Sequence, residues 1–471
     1  MKILFFITNT NREYFGPGYL SAILKKAGHE VSLARTLRKG FFESVQAFDP
    51  DILAFSTFTG LHRHFLDINK KIKKILPHVF SIFGGPHATF FPETVREEGV
   101  DAICIGEAED ALLELVERME HREDYSDVKN FWFKQDGQIK KNGLRPLPHD
   151  LDKIPFPDRE LFYEGDQNLR FIPIRSILTG RGCPHSCSYC FNHAMRGLYE
   201  IGNKEYCRKR SVENVIEEIQ QLTRNYRTKF LMFSDDLFVV SQKWLEEFTI
   251  AYRKNLSIPF TCNIRPLSAK DSMFKLLKEA GCISVQMAIE SGNDEIRHDL
   301  LNRRESREKI IKTAEMVRRN GMKLYTQNII GLPGETLANM LETIELNRKC
   351  RPHHPEVTIF QPYPKTTLGE HCGKLGLPVN LDEMSATYHR NANLSEVSDN
   401  VVENLHHFFA ILVKMPKLKP FILGMLKFPR NTLFWLFYRI WYGLEIRYFL
   451  APGMTIIEKM RAIRQYFVQT F

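Results

Sequence analysis

Short apolar runs alternate with amphipathic stretches along most of the chain. In the first 120 residues, apolar runs at 2–7, 30–33, 52–56, 80–83 and 102–105 read as buried strands. Between them, 19–27 and 65–75 place apolar residues at helical spacing. Strands alternating with helices of this length predict a doubly wound parallel sheet of the Rossmann-like kind. Residues 121–172 turn polar and carry Pro146, Pro148, Pro155 and Pro157, the pattern of a segment wrapping between domains. The alternation then resumes, with strands predicted at 174–178, 229–233, 260–264, 284–288, 323–330 and 356–361. Helices are predicted at 212–224, 242–254, 271–280, 307–320 and 337–348. Six strand–helix units predict a partial (β/α)6 barrel rather than a closed eightfold one. The expected organisation is an α/β chain with a first domain at 1–140, a linker at 141–172, a barrel at 173–385 and a mainly helical region at 386–471.

Composition narrows the class. The chain has 471 residues, 43% hydrophobic and 26% charged, which is globular rather than disordered. No apolar stretch reaches the roughly 18 residues that span a bilayer. The apolar start of the chain is too short for a secretory signal core and reads as a first strand, so a cytoplasmic protein is expected. Net charge is +9, but residues 404–471 hold ten Lys or Arg against Glu445 and Glu458, so 10 − 2 = +8 lies there and +1 elsewhere. A nearly neutral body excludes nucleic-acid binding across its surface. The stretch 421–450 mixes aromatic residues with arginine and admits two readings: a helix lying at the anionic inner face of a membrane, or an amphipathic cap on the barrel.

The chemistry concentrates at Gly180-Arg181-Gly182-Cys183-Pro184-His185-Ser186-Cys187-Ser188-Tyr189-Cys190. Three thiolates at Cys-x3-Cys-x2-Cys on a loop after a strand can hold three irons of a four-iron cluster and leave the fourth iron open. The alternative is a zinc knuckle completed by His185 or His193. Zinc sites pair one C-x2-C unit with a second a dozen or more residues away, and none follows here.

This loop resembles the signature of the radical SAM enzymes, which carries an aromatic residue before the last cysteine, here Tyr189. The resemblance implies that Cys183, Cys187 and Cys190 ligate a 4Fe-4S cluster. S-adenosylmethionine would chelate the open iron and be cleaved by one electron to a 5′-deoxyadenosyl radical. The Tyr189 backbone would lie near the adenine. It also implies that Ser234, Asp235 and Asp236 at the tip of the second barrel strand face the amino end of S-adenosylmethionine. Glu290, in Ala288-Ile289-Glu290-Ser291-Gly292, would reach the ribose, and Gly331, in the segment 328–336, would pack near the adenine. A glutamate leaving an apolar strand is costly to bury without a partner, which favours a functional reading. A helix N-cap is the competing role for either aspartate.

The front domain resembles cobalamin-binding domains. Ser56-Thr57-Phe58 is followed, after 25 intervening residues, by Gly84-Gly85-Pro86-His87, close to the Ser-x-Leu and Gly-Gly pair that wrap the cofactor's nucleotide tail. Small residues at strand ends let backbone approach a bulky ligand. Phe58 departs from the usual leucine. The larger departure is at residues 9–14, where the axial-ligand histidine loop of that family would fall and no histidine stands. His87 either faces the cofactor or caps its turn.

Together these features resemble the cobalamin-dependent radical SAM enzymes, and cobalamin, the cluster and S-adenosylmethionine are the expected cofactors. The reaction implied is methylation of an unactivated carbon on a small-molecule or lipid-like substrate, with a flavodoxin- or ferredoxin-type one-electron donor. A cobalamin-dependent rearrangement or cyclisation, and a non-catalytic sensor, are the alternatives. Methylthio transfer is disfavoured, since it uses a second cluster and only Cys104 lies in the front domain.

Overall fold

The structure, a computed structural model, describes residues 1–8, 13–382, 384, 388–389, 394–446 and 453–469. Of the segments singled out above, residues 9–12 at the expected axial-ligand loop, 386–387, and 447–450 of the tail lie outside the described residues.

The chain divides into two units. The first comprises Met1–Arg170, Leu198–Ile201 and Leu381–Ala386. Its strands are β1 (Lys2–Ile7), β2 (Glu30–Arg35), β3 (Ile52–Ser56), β4 (Phe80–Gly84), β5 (Ala102–Cys104), β6 (Phe131–Gln135) and β7 (Gln138–Lys141), in one sheet of order β2-β1-β3-β4-β5-β6-β7. β1 to β5 pair in parallel, as the apolar runs predict. Continuous apolar runs suit this sheet because helices cover its faces. Phe6, Phe55 and Phe83 stack in line on β1, β3 and β4, with ring centroids 4.3 and 4.5 Å apart.

The sequence reading is corrected between 121 and 172. β6 and β7 form a hairpin that adds an antiparallel edge to the sheet. Its turn is Asp136-Gly137, both at positive φ (47° and 74°), the residue pair that a tight hairpin favours. Farther on, the proline-dotted stretch packs on the first unit's helix Phe15–Lys26: Asp158 N donates to Gly18 O at 2.9 Å and its carboxylate accepts from Ser21 Oγ at 2.7 Å.

The second unit comprises Phe171–Gly197, Gly202–Asn380 and Thr387–Phe471. Six parallel strands follow one another in sequence order: β8 (Ile174–Ile177), β11 (Phe230–Phe233), β12 (Phe260–Ile264), β13 (Cys282–Glu290), β14 (Lys323–Ile330) and β15 (His354–Ile359). The short strands β9 (Gly180–Arg181) and β10 (Arg208–Lys209) pair antiparallel beside them. This is the expected partial barrel. One face packs on helices through a core including Phe233, Phe248, Phe260, Phe274, Val285 and Leu324. Five helices of this unit start at a serine or threonine that caps them. Ser211, Ser241, Ser306, Thr336 and Thr366 all accept an amide hydrogen of their helix's first turn.

The helical tail belongs to this unit. The helix Asp399–Lys414 contributes Val402, Leu405, Phe409 and Leu412 to a cluster with Val357 and Ile359 of β15. In the helix Thr432–Ile446, Glu445 is buried against His354 and Lys414, and in the helix Ile456–Gln469, Glu458 accepts from Lys229 at 3.0 Å. Both acidic groups of the basic tail therefore turn inward onto the barrel.

Candidate active site

The three cysteines sit on a loop held from several sides. Ser188 N donates to Leu301 O at 3.2 Å, and Asn302 Nδ2 donates to Ser186 O at 2.8 Å. Leu368 N donates to Ser188 O at 2.8 Å. Cys187 is buried, whereas Cys183 and Cys190 are half-buried. Burial pushes the Cys183 thiol up and the Cys190 thiol to about 11. Both would ionise only with a cation at hand, which iron supplies on binding. Polar donors point at the sulfurs. Arg265 Nη1 lies 3.3 Å and Arg303 Nη1 4.0 Å from Cys187 Sγ, and Asn192 Nδ2 lies 3.5 Å from Cys190 Sγ. Among the described residues no group of three His, Cys, Asp or Glu is placed to hold a single metal ion. In a four-iron cluster each thiolate binds its own iron, so the ligands need not converge on one point. His193 Nε2 lies 2.9 Å from Thr367 Oγ1, and His185 is held neutral by burial, its pKa lowered to about 4. A loop of three sulfurs, two of them with side-chain donors aimed at them, fits the cluster.

Around the loop lies a buried polar network that sequence reading missed. Tyr189 OH donates to Glu290 Oε1 at 2.6 Å, and Arg303 Nη1 donates to Tyr189 OH at 3.3 Å and stands 3.6 Å from Glu290. Arg303 Nη2 donates to Ala288 O at 2.8 Å, and Glu305 pairs with both Arg265 and Arg303. Glu290 itself adopts φ 65° at a register shift in β13. Burial raises its carboxyl pKa, and Arg303 and the Tyr189 hydroxyl oppose that rise. The glutamate expected to need a partner has two. Gly292, two residues on, presses against the helix Leu337–Cys350, where a Cβ would stand 2.3 Å from Glu342 O.

The two aspartates separate. Asp235 is buried, with its carboxylate accepting from Thr179 N at 3.2 Å, Thr179 Oγ1 at 2.7 Å and Lys209 Nζ at 3.0 Å. It latches β10 to the strand that leads into the cysteine loop. Asp236 keeps solvent access, accepts from Asn192 Nδ2 at 3.1 Å, and has its carboxyl raised by the surrounding protein. Ser234 is also exposed. Neither aspartate caps the next helix, a role that Ser241 fills. Gly331 has φ 76° at the end of β14. Beyond it, Glu335 is fully buried with Oε2 accepting from Leu332 N at 3.1 Å and Oε1 without a partner. A cleft of about 700 Å³ opens beside the loop, lined by Ser186, Ser188, Asp299, Gly334 and His371 among others.

In the first unit the two predicted turns interlock at the tips of β3 and β4. Thr57 N and Thr57 Oγ1 both donate to Gly84 O at 2.8 Å, and His87 N donates to Thr57 O at 3.0 Å. Gly85 has φ 82°, and a Cβ there would stand 2.9 Å from Thr57 N and O, so only glycine fits. Phe58 leaves 40% of its surface exposed. His87 is buried, stacked on His62 with centroids 4.0 Å apart, with Thr59 and Thr94 hydroxyls 3.1 and 3.3 Å from its two ring nitrogens. Burial lowers its pKa to about 3. Of the two expected roles, facing the cofactor or capping the turn, these contacts tie His87 to the turn. Small residues beside an exposed aromatic, with no imidazole offered from this turn, fit a cobalamin tail.

Comparison with known proteins now bears on this geometry. The Radical SAM superfamily model matches residues 177–346, and the B12 binding domain model matches residues 15–116. The chain joins a radical SAM domain to a B12-binding domain. Its cofactor set is accordingly the 4Fe-4S cluster, S-adenosylmethionine and cobalamin. It is 28% identical over 374 residues to the uncharacterized methyltransferase PH0819 of Pyrococcus horikoshii, covering 78% of this chain and 80% of that one. It is 24% identical over 374 residues to the anaerobic magnesium-protoporphyrin IX monomethyl ester cyclase of Rubrivivax gelatinosus, covering 75% of this chain and 65% of that one. Among solved structures, the radical S-adenosylmethionine methyltransferase TsrM of Kitasatospora setae, with tryptophan and a SAM analogue bound, matches at TM-score 0.66. It is 15% identical and covers 79% of this chain and 76% of that one. At that identity the likeness is one of fold. For this radical SAM enzyme, no helix of the described residues is long and apolar enough to cross a membrane.

Proposed function

We propose that this enzyme methylates an unactivated carbon of a small-molecule or lipid-like substrate, using cobalamin as methyl carrier. The observation that carries the reading is the pairing, in one chain, of a donor-lined three-cysteine loop with interlocked Ser56-Thr57-Phe58 and Gly84-Gly85 turns. When bound, the cluster supplies the electron that cleaves S-adenosylmethionine to a radical, and cobalamin carries the methyl group. Cys183, Cys187 and Cys190 hold the cluster. Tyr189 fixes Glu290 at the end of β13, facing the ribose of S-adenosylmethionine. Ser234 and Asp236 take its amino end, and Gly331 leaves room at the adenine. Asp235 acts on the site through Thr179 and Lys209. The relative PH0819, named as an uncharacterized methyltransferase, supports methyl transfer over rearrangement. The electron comes from a flavodoxin- or ferredoxin-type donor.

The test is anaerobic incubation of the reconstituted enzyme with dithionite, S-adenosylmethionine labelled in its methyl group, and a small-molecule extract. Equal amounts of 5′-deoxyadenosine and S-adenosylhomocysteine, with label in a new product, support methylation. 5′-Deoxyadenosine without S-adenosylhomocysteine overturns it in favour of rearrangement.

The substrate class follows the tail. On the helix Thr432–Ile446, Leu433, Leu436, Phe437, Ile440 and Leu444 form an exposed stripe, with Leu433 70% exposed, while Phe434 and Glu445 face inward. Phe421 and Phe428 are also exposed. With both tail carboxylates spent on barrel partners, the remaining lysines and arginines suit an anionic lipid surface. Sedimentation with phosphatidylglycerol vesicles, weak on phosphatidylcholine and lost in a Leu436→Glu/Ile440→Glu variant, is expected. Equal binding to both lipids, or none, overturns the contact.

A further inference from the structure

The three cysteines are not electrostatically equivalent. Two guanidinium groups address Cys187 Sγ, one side-chain amide addresses Cys190 Sγ, and neither arginine reaches Cys183 within hydrogen-bond distance. The nearer group is Arg265, which stands just past the end of β12. Arg265 and Arg303 are both almost fully buried, as is Glu305. Glu305 engages Arg265 through two contacts, Nε to Oε1 and Nη2 to Oε2 at 3.4 Å. A fork held on two of its nitrogens has its third nitrogen fixed in direction, and here that nitrogen, Nη1, points at the sulfur 3.3 Å away. Arg303 is held by Ala288 O, by the Tyr189 hydroxyl and, at 3.4 Å, by the same Glu305.

We infer that Arg265, aimed by Glu305, is a positioning residue that sets the reduction potential of the cluster through Cys187. This rests on the reading that Cys187 is an iron ligand. Reduction adds one electron to the cluster and its sulfur ligands, with no bond made or broken. A cation and an N–H donor held against one of those sulfurs, away from water, favour the more negative, reduced form. The donor set therefore raises the potential at which a flavodoxin- or ferredoxin-type protein can deliver that electron. A fixed pair is needed because a lone buried arginine would carry an uncompensated charge. Glu305 supplies the counter-charge on the side of the guanidinium away from the sulfur.

The test uses the full chain, reconstituted anaerobically with iron and sulfide, and reads the potential by electron paramagnetic resonance during a mediated dithionite titration. Arg265→Gln is expected to load iron as the wild type does and to be reduced at a more negative potential. Arg265→Lys, which keeps the charge but not the fork, is expected between the two. Glu305→Gln removes the opposing charge and is expected to move the potential the other way. Non-specific damage would not reverse sign with the charge removed. An Arg265→Gln potential equal to or above that of the wild type overturns the inference. If Arg265→Gln fails to load iron, Arg265→Lys decides: a potential below that of the wild type supports the inference, and one equal or higher overturns it. Failure of the ligand reading would look different, as a Cys187→Ala variant retaining the full iron content.

Discussion

Glu335 offers a test of the fold around the site that needs no cofactor. Its side chain is fully buried, one oxygen accepts from Leu332 N, and the other has no partner. Burial lifts its carboxyl from 4.5 to about 8, against the pull of two backbone amides. The unfolded chain releases this proton near pH 4.5, while the folded chain keeps it to about pH 8, so the folded state binds more protons between those values. Stability from this group is thus intact below pH 4.5 and falls as pH rises, by about 1.4 kcal/mol per pH unit, levelling off above pH 8. The full loss is about 5 kcal/mol, because the residue has no solvent exposure to screen it. Glutamine copies the neutral acid and cannot ionise. In urea denaturation of the apoprotein followed by tryptophan fluorescence, Glu335→Gln should match the wild type near pH 5 and exceed it progressively to pH 8. Parallel stability curves for the two proteins from pH 5 to pH 9 would rule out a raised Glu335 pKa in the folded chain.

Further expectations follow from the same contacts. Asp235→Ala leaves Lys209 buried without its carboxylate and should cost about 3–5 kcal/mol, read as a lower thermal midpoint, with Asp235→Asn costing less. Gly292→Ala drives a Cβ into the backbone of Glu342 and should leave little soluble protein, measured by expression yield and melting. Phe55→Ala removes the middle ring of the stack in the first unit and should destabilise it by about 3–5 kcal/mol in calorimetry. Glu445→Ala frees the helix Thr432–Ile446 from His354 and Lys414, and limited proteolysis should then cleave near residue 430 faster than in the wild type.

What could be read from the sequence is what is local. The strand runs, the cap serines and threonines, and the three cysteines are each set by neighbours within a few residues, so spacing alone marks them. The hairpin at β6–β7 was legible too, since Asp136-Gly137 between Phe131-Trp132-Phe133 and Gln138–Lys141 is a hairpin pattern that the surrounding polarity obscured. Arg265, Arg303 and Glu305 carried no such mark. Arg265 follows β12, whereas Arg303 and Glu305 share the loop before the helix Arg307–Arg319, and only the order of the barrel strands brings the two arginines to one sulfur. The pair Asp235-Asp236 shows the same limit: adjacent strand-end residues face opposite ways, and which one is buried depends on the position of Thr179 and Lys209. Likewise, the stacking of His87 on His62 joins residues 25 positions apart.

The most direct measurement is the metal and cofactor content of the chain after anaerobic expression with cobalamin and reconstitution with iron and sulfide. About four irons and one cobalamin per chain, with iron lost in Cys183→Ala, Cys187→Ala and Cys190→Ala, is the predicted result. Zinc in place of iron would contradict the cluster, and a full cluster without cobalamin would contradict the methyl-transfer account.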